Sequence, residues 1–205
     1  MGIEVITFQD LRAINPSKED VVITVSKSID WSNGLSPFVL GPCSLYGRYT
    51  ATNVENAWQF SKVYSEFVKD NQILPSYYAW AQKGWEDSFA HRYPMGKGCK
   101  PLFSVWNGKR MNYVTARKKI YIPLYYNAVR NTEAFRLLQE KYDRDYHNER
   151  TLYLIDFDAY RHKQINMSYR DVASCADKKM GHAFVLAWAL EQPWDFHEFL
   201  ACCTM

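Results

Sequence analysis

Glu55, Gln59 and Lys62 stand four and seven positions apart in a stretch whose apolar residues repeat at helical intervals. Val54, Ala57, Trp58, Ser61, Tyr64, Phe67 and Val68 recur at steps of three and four, so the spacing predicts a helix over Val54–Lys69. On such a helix the three polar side chains form one column, which Glu66 continues. A carboxylate, an amide and an ammonium brought together under cover have the makings of a hydrolytic site. Glu55 would act as a base or stabilise positive charge in the transition state, Gln59 would fix an orientation and Lys62 would hold an anion. Two plainer readings compete. Thr52-Asn53-Val54-Glu55 has the form of a capping box, in which Glu55 only satisfies the first backbone donors of the helix, and a charged column is often just a solvated face.

Other residue types offer narrower chemistry. Lys109, Arg110, Arg117, Lys118 and Lys119, interleaved with Tyr113 and Tyr121, form the densest basic segment and could contact the phosphates of a nucleotide or nucleic acid, with Arg117 and Lys118 as the chosen pair. The alternative is a solvated helix face. Trp80 and Trp85 flank Lys83-Gly84 and could stack a base, or serve as core mass. His182 precedes an apolar helix and reads as a capping or core histidine rather than a catalytic base. The five histidines lack His-x-x-x-His spacing, the five cysteines lack paired spacing, and no glycine-rich nucleotide motif is present, so no metal and no cofactor is expected.

The run Trp31-Ser32-Asn33-Gly34-Leu35-Ser36-Pro37-Phe38, then Tyr49, then Glu55-Asn56-Ala57-Trp58-Gln59-Phe60-Ser61-Lys62, resembles the opening pattern of the NADAR family of N-glycosidases. That family shows Ser-Asn near Pro-Phe followed by Glu-x-x-x-Gln-x-x-Lys on a helix. The resemblance implies a compact α/β fold and cleavage of an N-glycosidic bond in a ribosylated or ADP-ribosylated nucleotide or nucleobase. It places Glu55 at the acidic catalytic position, Gln59 and Lys62 in the helix motif, and Asn33 on the loop facing the site. The chain departs from the pattern in carrying Asn56 where the family commonly has His, and in lacking a late Asp-x-x-Trp-Gly. Asp156 or Asp158, at the end of a predicted strand, stands in for that acidic group. Two further readings stay open: a binding protein that holds a modified nucleotide or nucleic acid without turning it over, and an enzyme that modifies a nucleobase.

These side chains need elements to position them. Ile3–Phe8 and Val21–Val25 are β-branched runs that read as strands, and Thr151–Phe157 alternates as a third. Asp30–Asn53 reads as ordered loop with a short strand around Phe38. Short helices around Tyr77–Gln82 are expected within irregular chain. A helix over Gly108–Tyr121 should end before Pro123, where another can start. Asn131 or Thr132 should cap a helix that buries Ala134, Phe135, Leu138 and Tyr142, and Lys179–Leu190 reads as a buried helix.

With 205 residues, 47% apolar and 23% charged, the chain is expected to form one α/β (α+β) domain over 1–205, mainly helical with a small sheet. A net charge of +3 is too small to bind a polyanion across the whole surface, so a nucleic-acid partner would require a local patch. The N-terminus lacks a signal-peptide pattern and no apolar run reaches membrane-spanning length. A cytoplasmic protein with free thiols and no membrane partner is expected.

Overall fold

In the computed structural model, which describes residues 2–203, the chain opens with strand β1 (Gly2–Ile6), helix α1 (Phe8–Ile14) and strand β2 (Val21–Ile23). A long loop containing a 3-10 turn at Trp31–Leu35 leads to the short pair β3 (Cys43–Ser44) and β4 (Thr50–Ala51), and then to α2 (Val54–Gln59). β5 (Lys62–Val63), β6 (Val68–Lys69) and β7 (Gln72–Ile73) precede α3 (Pro75–Glu86), after which come β8 (Phe103–Trp106) and β9 (Lys109–Met111). The remainder is mostly helical: α4 (Tyr113–Ala116), a π-helical turn at Arg117–Tyr121, α5 (Ile122–Val129), α6 (Glu133–His147), strand β10 (Thr151–Ile155), α7 (Tyr169–Ser174), α8 (His182–Glu191) and α9 (Pro193–Cys203). The fold is mixed α+β, mainly helical with small sheets.

The three β-branched runs form a single parallel sheet with β10 between β1 and β2. Its strands are shorter than the runs suggest. β1 stops at Ile6 because Thr7 caps α1 in a capping box with Asp10. Ile3, Val5, Val22, Leu152 and Leu154 are buried in the same core as α8, whose residues His182 to Trp188 are all buried. Trp188 is inaccessible and is wrapped by Tyr169, Phe196 and Phe199, with ring centroids 6.0, 5.3 and 4.6 Å away. A second core gathers Phe60, Val63, Tyr64, Phe67, Tyr77, Ala81 and Trp85.

α2 lies between these cores, giving Val54 and Trp58 to the first and Ala57, with Phe60 just past its end, to the second. It is far shorter than the predicted Val54–Lys69 helix. Ser61, fully buried, turns its hydroxyl back onto the Trp58 carbonyl, and Lys62 then pairs in register with Ser104 of β8. Bonding to a strand distant in sequence overrides the helical period. No strand forms at Phe38, where the chain is in a turn, and the helix around Tyr77–Gln82 extends to the twelve residues of α3.

Helix formation also continues through Pro123. The Ile122 N–H donates to the Arg117 carbonyl five residues back, so a widened turn leads into α5 and accommodates a residue with no N–H to give. Thr132 caps α6 as predicted, burying Ala134, Phe135 and Leu138, with Tyr142 half-buried. The five cysteines are free thiols, and among the described residues no helix is long and apolar enough to cross a membrane.

Gly84 of α3 lies flat against Phe60: a Cβ there would stand 2.1 Å from the Phe60 ring. Gly84→Ala should therefore cost about 1–3 kcal/mol, as overpacking does, and lower the thermal midpoint by several degrees. Calorimetry of the two proteins checks this, and an unchanged midpoint would show that the seam yields freely.

Candidate functional site

The polar column is interior, not a solvated face. All six residues of α2 are buried, Glu55 being 6% and Gln59 8% exposed. Asn53, not Thr52, caps the helix by accepting from the Asn56 N–H, which leaves the Glu55 carboxylate free of capping. Gln59 Nε2 donates to Glu55 Oε1 at 2.9 Å, and Lys62 Nζ donates to Gln59 Oε1 at 2.6 Å. The amide thus bridges the carboxylate and the ammonium, with Lys62 reaching it from β5 across the face of Trp58, 4.6 Å from the ring centroid. Glu66 lies outside this chain, exposed on a 3-10 turn. Glu55 Oε2 makes no hydrogen bond among the described residues.

Burial pushes the Glu55 carboxyl above its ordinary value, against the opposing pull of Gln59 and of the Lys62, Arg92 and His182 charges. Burial likewise lowers Lys62 to about 8, although Glu55 and Asp158 favour its charge. Tyr121 flanks the group, its ring 5.3 Å from Trp58, and burial together with Asp156 and Glu55 keeps its phenol neutral.

Behind the column lies a buried pair at the carboxyl ends of the parallel strands. Asp156, just past β10, accepts from His182 Nδ1 at 3.0 Å, from the Ala183 N–H at 3.1 Å and from the Asp158 N–H at 3.2 Å. His182 Nε2 stands 2.8 Å from the Thr24 carbonyl just past β2. Both ring nitrogens face acceptors, which only the doubly protonated imidazolium satisfies. Burial works against that cation, but the Asp156 charge and hydrogen bond outweigh it and raise the histidine above its ordinary value. Burial also opposes the Asp156 charge, yet His182 and the backbone donors hold the carboxyl at about 2. Gly181 makes the approach possible, since a Cβ there would lie 2.2 Å from Asp156 Oδ2. At the rim, Arg92 Nη2 donates to Asp158 at 2.9 Å and Lys179 Nζ lies 3.6 Å from the same carboxylate.

The arrangement is a buried carboxylate with one oxygen free of hydrogen bonds among the described residues, a buried imidazolium held by Asp156, and the half-buried Arg92 and exposed Lys179 gathered on Asp158. No family model and no curated protein matches the chain. What the site can do therefore follows from its own geometry. It can bear on developing positive charge through Glu55 and hold an anion at Arg92 and Lys179.

The structure redistributes the other predicted residues. Arg117 is 1% exposed, and its guanidinium donates to the carbonyls of Val172, Cys175 and Lys178 at 3.0, 2.6 and 2.8 Å. It braces the chain after α7 and has no free face for a phosphate. Lys118, half-buried beside it, is left without the partner a phosphate patch requires. Trp85 is 2% exposed and packs on Tyr46 and Tyr49, so it is core, not a stacking surface. Asn33 donates to the carbonyls of Ser26 and Ser28, both at 3.1 Å, closing its own loop rather than bonding Glu55. Asp156 bears on the site through His182. Sequence reasoning passed over Arg92, named Tyr121 only within the basic segment, and gave Trp58 and His182 no part in the chemistry. Only Gly181-His182 after an acidic strand end carried a local hint of close packing.

The pair makes stability pH-dependent at both ends. Asp156 contributes stability that is complete above its ordinary value of 3.8 and lost as pH falls through about 2. His182, raised above 6.5, contributes stability that is complete below 6.5 and lost as pH rises through its folded-state value. His182→Gln should cost about 3–5 kcal/mol by leaving a buried carboxylate unpaired, and should flatten the alkaline decline. Urea unfolding from pH 5 to 9 measures both, and equal alkaline slopes in the two proteins would contradict the imidazolium assignment.

Proposed function

We propose that the protein is a NADAR-like hydrolase that cleaves the N-glycosidic bond of a phosphorylated ribosyl compound, either a ribosylated nucleotide or an ADP-ribosylated nucleobase. The observation that carries this reading is the Glu55 carboxylate, buried, held at one oxygen by Gln59 and without a hydrogen bond at the other among the described residues. Breaking an N-riboside builds oxocarbenium character on the sugar, which an ionised carboxylate stabilises while it accepts a proton from the attacking water. Burial makes Glu55 a stronger base than an exposed glutamate, and Lys62, joined to it through Gln59, favours its ionised form. Gln59 fixes the carboxylate plane. Asp156 holds His182 in place rather than touching substrate.

Phosphate recognition falls to Arg92 and Lys179, two cations sharing the single carboxylate of Asp158. A nucleic-acid-binding protein built on Arg117 and Lys118 is disfavoured, because Arg117 is enclosed by carbonyls. The reading places the enzyme in the cytoplasm, which its unpaired cysteines suit.

Incubation with ribosylamino-pyrimidine phosphates and with nucleic acid ADP-ribosylated on guanine tests the proposal. Wild type should release free base, and Glu55→Gln should slow release by about a hundredfold or more; equal rates in the two proteins would exclude Glu55 as the catalytic group. A pH series adds a second reading. Because Lys62 titrates at about 8, kcat/KM should fall as pH rises through that value, and Lys62→Arg should carry the alkaline limb upward. An alkaline limb that does not move would assign it to another group.

A further inference from the structure

Asn56 stands next to Glu55 in α2 but points its amide elsewhere. It is fully buried, and its carboxamide is saturated by one loop: Nδ2 donates to the carbonyls of Asp87 at 3.0 Å and Phe89 at 2.8 Å, and Oδ1 accepts from the His91 N–H at 2.8 Å. The same loop is closed on itself. His91 Nε2 lies 2.8 Å from Asp87 Oδ2, the Phe89 N–H donates to Asp87 Oδ1 at 2.9 Å, and the Thr52 hydroxyl donates to the Asp87 carbonyl. Its outer side is bare, with Phe89 76% exposed. A loop with no regular secondary structure is thus anchored by the three hydrogen bonds of the buried Asn56 side chain, with the Thr52 hydroxyl on Asp87 and the Phe60 ring 5.8 Å from that of His91 beside them.

Arg92 is the residue that follows the last anchored N–H. Its guanidinium bonds Asp158 through Nη2 and lies 5.5 Å from the ring centroids of both Tyr93 and Phe157, while Nε and Nη1 make no hydrogen bond among the described residues; its charge acts on Glu55. A shift of the His91 backbone passes directly to it.

We infer that Asn56 is a positioning residue for substrate recognition: by fastening the backbone of residues 87–91 it sets Arg92 against Asp158 to receive the phosphate of a ribose phosphate. The inference rests on the reading that the site takes a phosphorylated ribosyl group. The side-chain chemistry is specific. Two carbonyls and one N–H must be met from one short side chain, which requires a nitrogen bearing two hydrogens and an oxygen on a single carbon. Aspartate has the same shape but would set an oxygen against two carbonyls. Histidine, the residue common at this position in the family that the sequence resembles, cannot give two hydrogens from one atom.

Calorimetric titration with ribose 5-phosphate at low salt tests the inference on wild type, Asn56→Asp, Arg92→Ala and the double variant. Each single change should weaken binding about tenfold, in the range of one charge-assisted hydrogen bond. The double variant should bind no more weakly than Arg92→Ala, because Asn56 acts through Arg92. Losses that multiply in the double variant, wild-type affinity in a folded Asn56→Asp, or no binding by wild type would each overturn it. Should Asn56→Asp fail to fold, hydrogen exchange on the wild type decides: the His91 amide should exchange more slowly with ribose 5-phosphate bound, and an unchanged rate counts against the latch. The glycosidase reading fails separately. A protein that binds ribose 5-phosphate in this way yet releases no base would lose that reading and keep this one, whereas turnover in wild type with full affinity in Asn56→Asp would do the reverse.

Discussion

A buried ion pair, Asp156 with His182, sets the geometry on which the candidate site depends. It joins the chain leaving β10, the Thr24 carbonyl leaving β2 and the first turn of α8. Two charges taken out of water are stabilising only when their remaining hydrogen-bonding capacity is met. Here both imidazole nitrogens have acceptors, and the carboxylate has two backbone donors besides. Gly181 lets the chains come close enough. The cost of desolvation is thereby converted into a fixed orientation at the carboxyl ends of a parallel sheet, the edge at which open α/β sheets generally place ligands.

The second constraint is the placement of α2 between two hydrophobic cores. A helix surrounded on both sides has no solvent face on which to put polar groups, so Glu55, Gln59 and Asn56 had to find partners inside. Glu55 and Gln59 join in a chain that ends on the Lys62 ammonium, and Asn56 takes the backbone of a loop. Each polar group therefore organises a different part of the surroundings. The same burial that made these bonds obligatory moves Glu55 and Lys62 towards neutrality, which is the condition under which a carboxylate becomes a useful base.

The spacing from Glu55 to Lys62 suggested one continuous helical column, a geometry that does not hold. Lys62 meets Gln59 from a strand, and the helical column of four and seven residues ends at Gln59. The expected basic patch failed for a related reason. Arg117 looked like a surface cation because charge alone cannot reveal that the carbonyls of Val172, Cys175 and Lys178 would close over it, while Arg92, isolated in an irregular segment, gave no pattern to read. Trp85 followed the ordinary tendency of tryptophan and went into the core.

The sequence by itself determined the elements whose signals are local: the β-branched strands, the Thr132 cap with the buried face of α6, and the apolar stretch that became α8. Each rests on neighbours within a few positions, where propensity and periodicity act. Tertiary structure decided the rest. It cut α2 short by pairing Lys62 with β8, carried the helix past Pro123 through a widened turn, bonded Arg92 to Asp158 and Asp156 to His182, and set Glu55 within electrostatic reach of Arg92 and of His182, 127 positions along the chain. Those contacts depend on burial and on hydrogen bonds between distant segments, and no local pattern encodes either.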